Sequence, residues 1–427
     1  MKLFTATLAV AVHATALVAQ VPDTARVPLH ALTRAEAISA ALASNPQLDV
    51  AREQTAQAKA RRVSAVAIPD PQLTYSLDGQ PQFLSLGSAA QRNAALGIDI
   101  PFPDKFRLRN KVATADVRSF EYSYAGLRQQ LAAQAGREYD SLLVTVRHRS
   151  DFALGRDLAR DFLAKTKARF DAGTVAKLDV IRAQVALAQA ENDYISSDRN
   201  VVIATDALDR VIGQPLGTPI VPADSLTVPR DLPDVELLQQ SALASRPELA
   251  GIASQQAGAS AATSLAKEFW FPDFTLSAQR DYGSSGGPAL FSAGIAMPIP
   301  LLYWQHSRGD IAESQHRERE LTAAARDLRA QVAQDVRASY AAASTALRQA
   351  IYIRDQLLPS AREAYRVASV SYGLGGSSAL DVLDARRSLL DAQSQYADAL
   401  AAASSARADL ERATAAPLDR FPTRREP

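Results

Sequence analysis

The chain states one pattern twice. Ala41-Leu42-Ala43-Ser44-Asn45-Pro46-Gln47-Leu48 returns as Ala242-Leu243-Ala244-Ser245-Arg246-Pro247-Glu248-Leu249, and Ile68-Pro69-Asp70 as Phe271-Pro272-Asp273. Ile100-Pro101-Phe102-Pro103 returns as Met297-Pro298-Ile299-Pro300. The longest echo sets Phe170-Asp171-Ala172-Gly173 and Leu178-Asp179-Val180 against Tyr372-Gly373-Leu374-Gly375 and Leu380-Asp381-Val382. Solenoids repeat every 20 to 50 residues, so a spacing of about 200 means one large unit duplicated. The expected division is a first unit over 30–212, a connector over 213–234, a second unit over 235–415 and a tail over 416–427. The connector reads as such because it holds five prolines and two glycines.

Each unit predicts the same order of elements. In the first, Thr33 with Glu36 forms a capping box that opens a short helix, and Asn45-Pro46 ends it. A second helix spans Gln47 to Val66. Two period-two segments follow, with Leu73, Tyr75 and Leu77 opposite Thr74, Ser76 and Asp78, then Leu96, Ile98 and Ile100 opposite Gly97 and Asp99. From Lys105 to Phe170 nothing breaks an apolar helical stripe, which predicts a helix of roughly 100 Å. Gly173 stops it, and a return helix runs from Leu178 to Gly213. The return helix has about half the length, so the Gln47–Val66 helix is expected to stack above it. The second unit repeats this order, with helices over Val235–Ser245, Glu248–Lys267 and Gly309–Tyr372 and a kink at Pro359.

The strands, expected over 72–82, 93–102, 273–282 and 289–298, match the length that crosses a bilayer as tilted β-strands. Aromatic residues sit at their helix-side ends: Phe102, Phe106, Phe269, Trp270, Phe271, Tyr303 and Trp304. Such girdles mark a membrane interface, although a sandwich-like sheet with one buried face fits any single strand equally well. Four strands cannot close a barrel, so subunits have to share one.

Composition removes several alternatives. A formal net charge of +1 lacks the basic surface of a nucleic-acid binder, so no nucleic-acid partner is expected. Abundant alanine with only 6% aromatic residues suits closely packed helices. The absence of cysteine rules out thiolate metal sites, cysteine nucleophiles and an acylated N-terminal cysteine. Residues 1–19 read as a secretory signal peptide, with a buried N-terminal helix as the alternative, and no later run of 18 apolar residues follows. Gly283-Ser284-Ser285-Gly286-Gly287 satisfies G-x-S-x-G without the following helix that a nucleophile elbow requires. His306, Asp310 and Glu313 are too weak a spacing for a metal site. Neither a catalytic residue, a cofactor nor a bound metal is expected. The rival class is a periplasmic adaptor or coiled-coil scaffold, which would carry one helical hairpin between β-rich modules rather than two equivalent hairpins.

Over almost the whole mature chain the sequence resembles an outer-membrane efflux protein of the TolC family, on the paired Asn-Pro and Arg-Pro motifs and the turns at Gly173 and Gly375. Pro103-Asp104-Lys105 and the compact length resemble its heavy-metal cation efflux branch. The resemblance implies a mainly α fold with a small membrane β-barrel: a homotrimeric, twelve-stranded barrel, four strands per chain, continued by a long periplasmic α-barrel. It implies an exit duct in the outer membrane, in contact with outer-membrane lipid, served by a periplasmic adaptor and an inner-membrane transporter of the RND type. The matching periplasmic gate positions are Asp179, Tyr372, Ser377, Asp381 and Asp384, with Gly173 and Gly375 at the adaptor-docking tip. Ser377 stands where the family has an arginine latch, so Tyr372 and Asp179 are expected to hold neighbouring helices by hydrogen bonds. Asp381 and Asp384 read either as acidic rings or as helix N-terminal carboxylates favoured by the dipole.

Overall fold

A computed structural model describes residues 31–78, 91–282, 290–299, 301–302, 305 and 307–422. The leader over 1–19, the glycine-serine loop, Tyr303, Trp304, His306 and the end of the tail lie outside the described residues. The first unit runs α1 (Arg34–Ser44), α2 (Pro46–Ala65), β2 (Gln72–Asp78), β3 (Gln91–Ile100), α3 (Pro103–Asp171) and α4 (Lys177–Ile212), preceded by a two-residue β1 (Ala31–Leu32). After β4 (Val221–Pro222) the second unit runs α5 (Val235–Ser245), α6 (Pro247–Lys267), β5 (Phe274–Tyr282), β6 (Leu290–Ala296), α7 (Ser307–Tyr352), α8 (Leu358–Gly373) and α9 (Ala379–Thr414). The capping box at Thr33 and Glu36 is formed. Asn45 closes α1 and opens α2, its side chain accepting from the Gln47 N–H at 2.9 Å.

The 69 residues of α3 form the spine. Towards its N-terminal half it lies between α2 and α6, with α7 beyond α6; towards its C-terminal half it lies between α4 and α9, with α7 and α8 beyond α9. Asn45 donates to the Val211 carbonyl at 2.8 Å, which sets the start of α2 on the end of α4, the stacking expected from their lengths. Gly213 ends α4 at φ 74, and a Cβ there would stand 2.5 Å from the Ser44 carbonyl oxygen. Glycine is therefore required both by the turn and by the crossing. Tyr139, Leu142, Leu208 and Ile212 pack over Ala37 and Ala41 of α1, and Val332, Val336 and Leu410 pack over Leu238 and Ala242 of α5. Each short helix thus plugs the equivalent pair of long ones.

Two local features depart from expectation. The bend at Pro359 is a π turn over Ile353–Leu357, because proline lacks the N–H that the preceding turn would use and the helix widens to absorb the loss. The connector also contains an element: β4 pairs in parallel with β1, Ala31 with Val221 and Leu32 with Pro222. Two residues are too few to show a period.

The second sheet has the order β2-β3-β5-β6, all antiparallel. β3 ends two residues before its expected limit, since the backbone of Phe102 is taken by the start of α3 and its N–H bonds Asp273 at 3.0 Å. Directly opposed residues share a face. The register therefore places Leu73, Leu96, Ile98, Leu276 and Ile295 together, and Thr74, Ser76, Gly97, Thr275 and Ser277 on the reverse. Four separate alternations are in phase across three ladders, and Leu73 and Ile295 are 76% and 77% exposed. A sandwich would cover that face; nothing among the described residues does. At the helix-side end Phe102 stacks on Phe271 at 4.8 Å, and Lys105 pairs with Asp273 at 2.8 Å, fixing the sheet to α3. Among the described residues no helix is long and apolar enough to cross a membrane.

Replacing Ile98 or Ile295 with Arg is expected to destabilise the lipid-inserted protein by about 2–4 kcal/mol near the bilayer midplane. Thr275→Arg, beside Asp99 on the polar face, is expected to cost less than about 1 kcal/mol. Urea titrations in lipid vesicles compare the three, and equal tolerance would contradict the assignment of faces.

Candidate functional site

Both helical hairpins turn at the end remote from the sheet, and they turn identically. The Gly173 N–H bonds the Phe170 carbonyl at 2.9 Å and the Thr174 N–H bonds that of Arg169 at 2.9 Å. The Gly375 N–H bonds Tyr372 at 3.1 Å and the Gly376 N–H bonds Ser371 at 2.8 Å. Each is a Schellman cap with glycine in the left-handed region, φ 71 and 84. Nothing lies within 4 Å of a Cβ placed at Gly173, so that turn stands open to a partner.

The following helices begin differently. Ser378 caps α9 with Asp381 in a full capping box, the carboxylate accepting from the Ser378 N–H and hydroxyl, each at 2.8 Å. Those two bonds hold the Asp381 carboxyl below its ordinary value of 3.8. The cap is accordingly complete above that value and weakens only as the pH falls through the lower folded one. Asp384, one turn along and exposed, has no hydrogen-bond or ion partner among the described residues. In the first unit Ala176 occupies the cap position and offers no side chain, and Asp179 pairs with Arg182 of its own helix at 3.6 Å. Among the described residues the partner of Asp179 is thus a cation one turn away on α4.

Tyr372 does reach across. It is buried against Phe162 with ring centroids 5.4 Å apart, and its hydroxyl donates to Thr166 Oγ1 at 3.3 Å on α3. A residue that sequence reasoning passed over completes the joint: Arg169 lays its guanidinium 4.5 Å from the Tyr372 ring centroid and donates to the Tyr372 carbonyl. Ser377, meanwhile, donates to the Ala368 carbonyl at 3.0 Å and pins its own turn. The arginine of this joint thus comes from α3. Its only local signal was a basic residue in the last turn of a helix, which the dipole alone explains.

Further along the seam between the units, Arg137 pairs with Asp409 at 2.5 Å, and buried Asp140 accepts from Arg34 at 3.1 Å and Ser404 at 2.9 Å. Burial pushes the Asp140 carboxyl up, and Arg34 and Ser404 oppose that shift. His148 stands 2.8 Å from Asp398 and 2.9 Å from Ser394. This serine lies in mid-helix, where backbone N–H groups are spent on the helix and none is left to hold an oxyanion. The trio is a clasp between α3 and α9. Among the described residues no three His, Cys, Asp or Glu side chains gather as a metal site.

The outer membrane efflux protein family pattern matches residues 37–214 and 238–416, and the chain belongs to that family. It is 25% identical over 375 residues to the cobalt-zinc-cadmium resistance protein CzcC of Cupriavidus metallidurans, covering 86% of this chain and 85% of that one. It is 25% identical over 395 residues to the outer membrane protein TolC of Vibrio cholerae, covering 86% of each. Its fold matches the Campylobacter jejuni CmeC outer membrane channel with a TM-score of 0.75 at 16% identity, over 89% of this chain and 85% of that one. The family is one of channel proteins. The chain is an outer-membrane exit duct that extends into the periplasm, and its two equivalent hairpins exclude the adaptor reading.

Arg169→Ala is expected to speed amide exchange across 369–377 by about tenfold, the loss of one cation–π contact and one charged hydrogen bond worth about 1–2 kcal/mol. Arg169→Lys should fall between, with exchange around Leu410 unchanged. Exchange at the tip that ignores both substitutions would remove Arg169 from the joint.

Proposed function

We propose that three copies of this chain close into a twelve-stranded barrel above a helical tube, forming the duct of a tripartite efflux pump. The observation that carries this reading is that both layers of the protomer end in open, apolar edges. Among the described residues β2 and β6 are the outer strands of the sheet, each paired on one side. Ile181, Val185 and Ile195 stand exposed on α4 at one edge of the helical layer, and Tyr352, Val367 and Val370 on α7 and α8 at the other. A closed ring satisfies every edge at once.

Within that assembly Asp179, Tyr372, Ser377, Asp381 and Asp384 form the periplasmic gate, and the Gly173 and Gly375 turns receive a periplasmic adaptor that links the duct to an inner-membrane transporter of the RND type. The exposed Schellman turns support this, since glycine lets a partner backbone approach closely. The cargo is cationic. Asp384 would repeat three times around the tip, and every acidic strand residue described, Asp78, Asp99 and Asp281, lies on the polar face that lines the lumen. The likeness to a cobalt-zinc-cadmium resistance protein favours the heavy-metal branch.

Planar-bilayer recording separates the two aspartates. Asp384→Asn is expected to lower cation preference with no loss of trimer stability, whereas Asp381→Asn should loosen the start of α9 and add a smaller change in selectivity. Unchanged selectivity in an Asp381→Asn, Asp384→Asn trimer would move the filter elsewhere. Bulky residues at Gly173 or Gly375 should abolish efflux in cells while trimers still assemble, and loss of assembly would make those turns structural only.

A further inference from the structure

The end of α4 buries a carboxyl group that neither the gate nor the seam uses. Asp209, in the last turn of that helix, is 0% exposed. Its Oδ2 accepts from the Thr218 N–H at 3.0 Å, while its Oδ1 is buried with no hydrogen-bond partner among the described residues. A negative charge in that place is opposed three times. Burial strips its water and leaves one oxygen unmatched. The C-terminal end of a helix is the negative pole of its dipole, where an acid is disfavoured. Asp206, one turn back, sets a second carboxyl nearby, which accepts from the Gly217 N–H at 3.0 Å. Burial pushes the Asp209 carboxyl up from its ordinary value of 3.8; the N–H groups of Thr218 and Gly217 oppose that rise, and Asp206 adds to it.

No cation answers this group among the described residues. Arg210, the next residue, is exposed to solvent. On the elements packed around the end of α4, Arg34 of α1 is taken by Asp140 and Glu36 by Thr33, and Arg52 of α2 pairs with Asp49. Glu138 of α3 lines the groove on the far side of α4, with Ile203 and Ala207. The turn over 213–218 holds no ionisable side chain, and beyond it Asp224 accepts from the Arg34 N–H at 2.7 Å.

What Asp209 holds is the return of the connector. The Gln214 N–H bonds the Asp209 carbonyl at 2.9 Å, and glycines at φ 74 and 79, Gly213 and Gly217, bring Thr218 back to its carboxyl group. From there Ile220 and Leu226 pack on the core around Leu208 and Ile212, and β4 joins β1. One buried side chain therefore ties the end of the first unit to the strap that leads to the second.

We propose that Asp209 is a proton-operated latch, which straps the connector turn over 214–218 to the end of α4 while it holds its proton and loosens that strap on losing it. A neutral carboxyl leaves Oδ2 as the acceptor for Thr218 and removes the charge that Oδ1 cannot share. The sign follows from the raised value: the strap has its full strength below the ordinary 3.8 and weakens as the pH rises through the higher folded value. The latch lies within one chain and depends on neither subunit number nor cargo.

The test follows amide exchange at Thr218 in the full-length protein, comparing wild type with Asp209→Asn at each pH so that the intrinsic pH dependence of exchange cancels. The Asn side chain keeps an oxygen for Thr218 and never carries the charge, so it stands for the protonated latch. The two proteins are expected to exchange alike near pH 4, and the wild type about tenfold faster near pH 8. Asp206→Asn, which removes the neighbouring charge, should match wild type at the lower pH and fall between the two at the higher. Leu410 in the second unit should respond to neither substitution. A ratio of wild type to Asp209→Asn that ignores pH would overturn the proposal and make Asp209 a plain turn cap. Should Asp209→Asn fail to fold, Asp206→Asn decides, and exchange identical to wild type at both pH values would overturn the latch. Slowing of wild-type exchange near pH 8 by millimolar calcium or potassium would assign Oδ1 to a bound cation and overturn it too.

Discussion

Unpaired edges govern this molecule. Among the described residues the four-stranded sheet ends at β2 and β6, and lipid offers no hydrogen bonds to backbone groups along such edges. The proposed trimer would satisfy them with strands from other copies. The same pattern continues below the sheet, where α4 at one side and α7 with α8 at the other present apolar residues to no neighbour among the described residues. One act of closure would resolve both, and the proposed ring would give the barrel of strands and the barrel of helices one axis and one subunit count.

Because α3 touches both units along its whole length, it makes the duplicated halves into one wall. Its partners change at the level of α1, where α2 gives way to α4 and α6 to α9. The polar contacts there differ between the units: Asn45 bonds a helix end in the first, while the matching Arg246 is buried and pairs with Asp335 at 3.0 Å in the second. Towards the tip the seam carries Arg137–Asp409, Asp140–Ser404 and His148–Asp398, and closes with Arg169 on Tyr372. The two hairpins of a protomer are thus clasped at intervals, so relative movement at the tip has to break the Arg169–Tyr372 joint, whereas movement between protomers need not.

Local chemistry was legible and distant partnership was not. The strands announced themselves through alternation at Leu73, Ile98, Leu276 and Ile295, helix limits through Asn45-Pro46 and Gly213, and an irregularity in the long helix through Pro359, because each signal lies within a few residues of its effect. Thr33 with Glu36 likewise showed its cap in four residues. Arg169 and Tyr372 are about 200 positions apart, and no period or spacing links them; the same holds for His148 with Asp398 and for β1 with β4. Even Asp179 and Asp381, equivalent by repeat, diverge because one has a serine three residues before it and the other an alanine. The sorting of Asp78, Asp99 and Asp281 from Arg92 and Arg280 appeared only with the ladder register, since a single strand shows two faces without saying which strand's face joins which.

Closure is the claim on which the rest hangs, and the absence of native cysteine makes it directly measurable. Val185 on α4 and Val370 on α8 are both about half exposed, at 51% and 54%. They stand at nearly one level: the Arg160–Glu191 contact sets α4 against α3, and Tyr372–Thr166 sets α8 against it. A Val185→Cys, Val370→Cys protein treated in membranes with a short bismaleimide is predicted to give covalent dimers and trimers and nothing larger, while either single variant gives none. Failure of the double variant to cross-link, or a ladder running past three, would show that these edges do not meet in a closed ring.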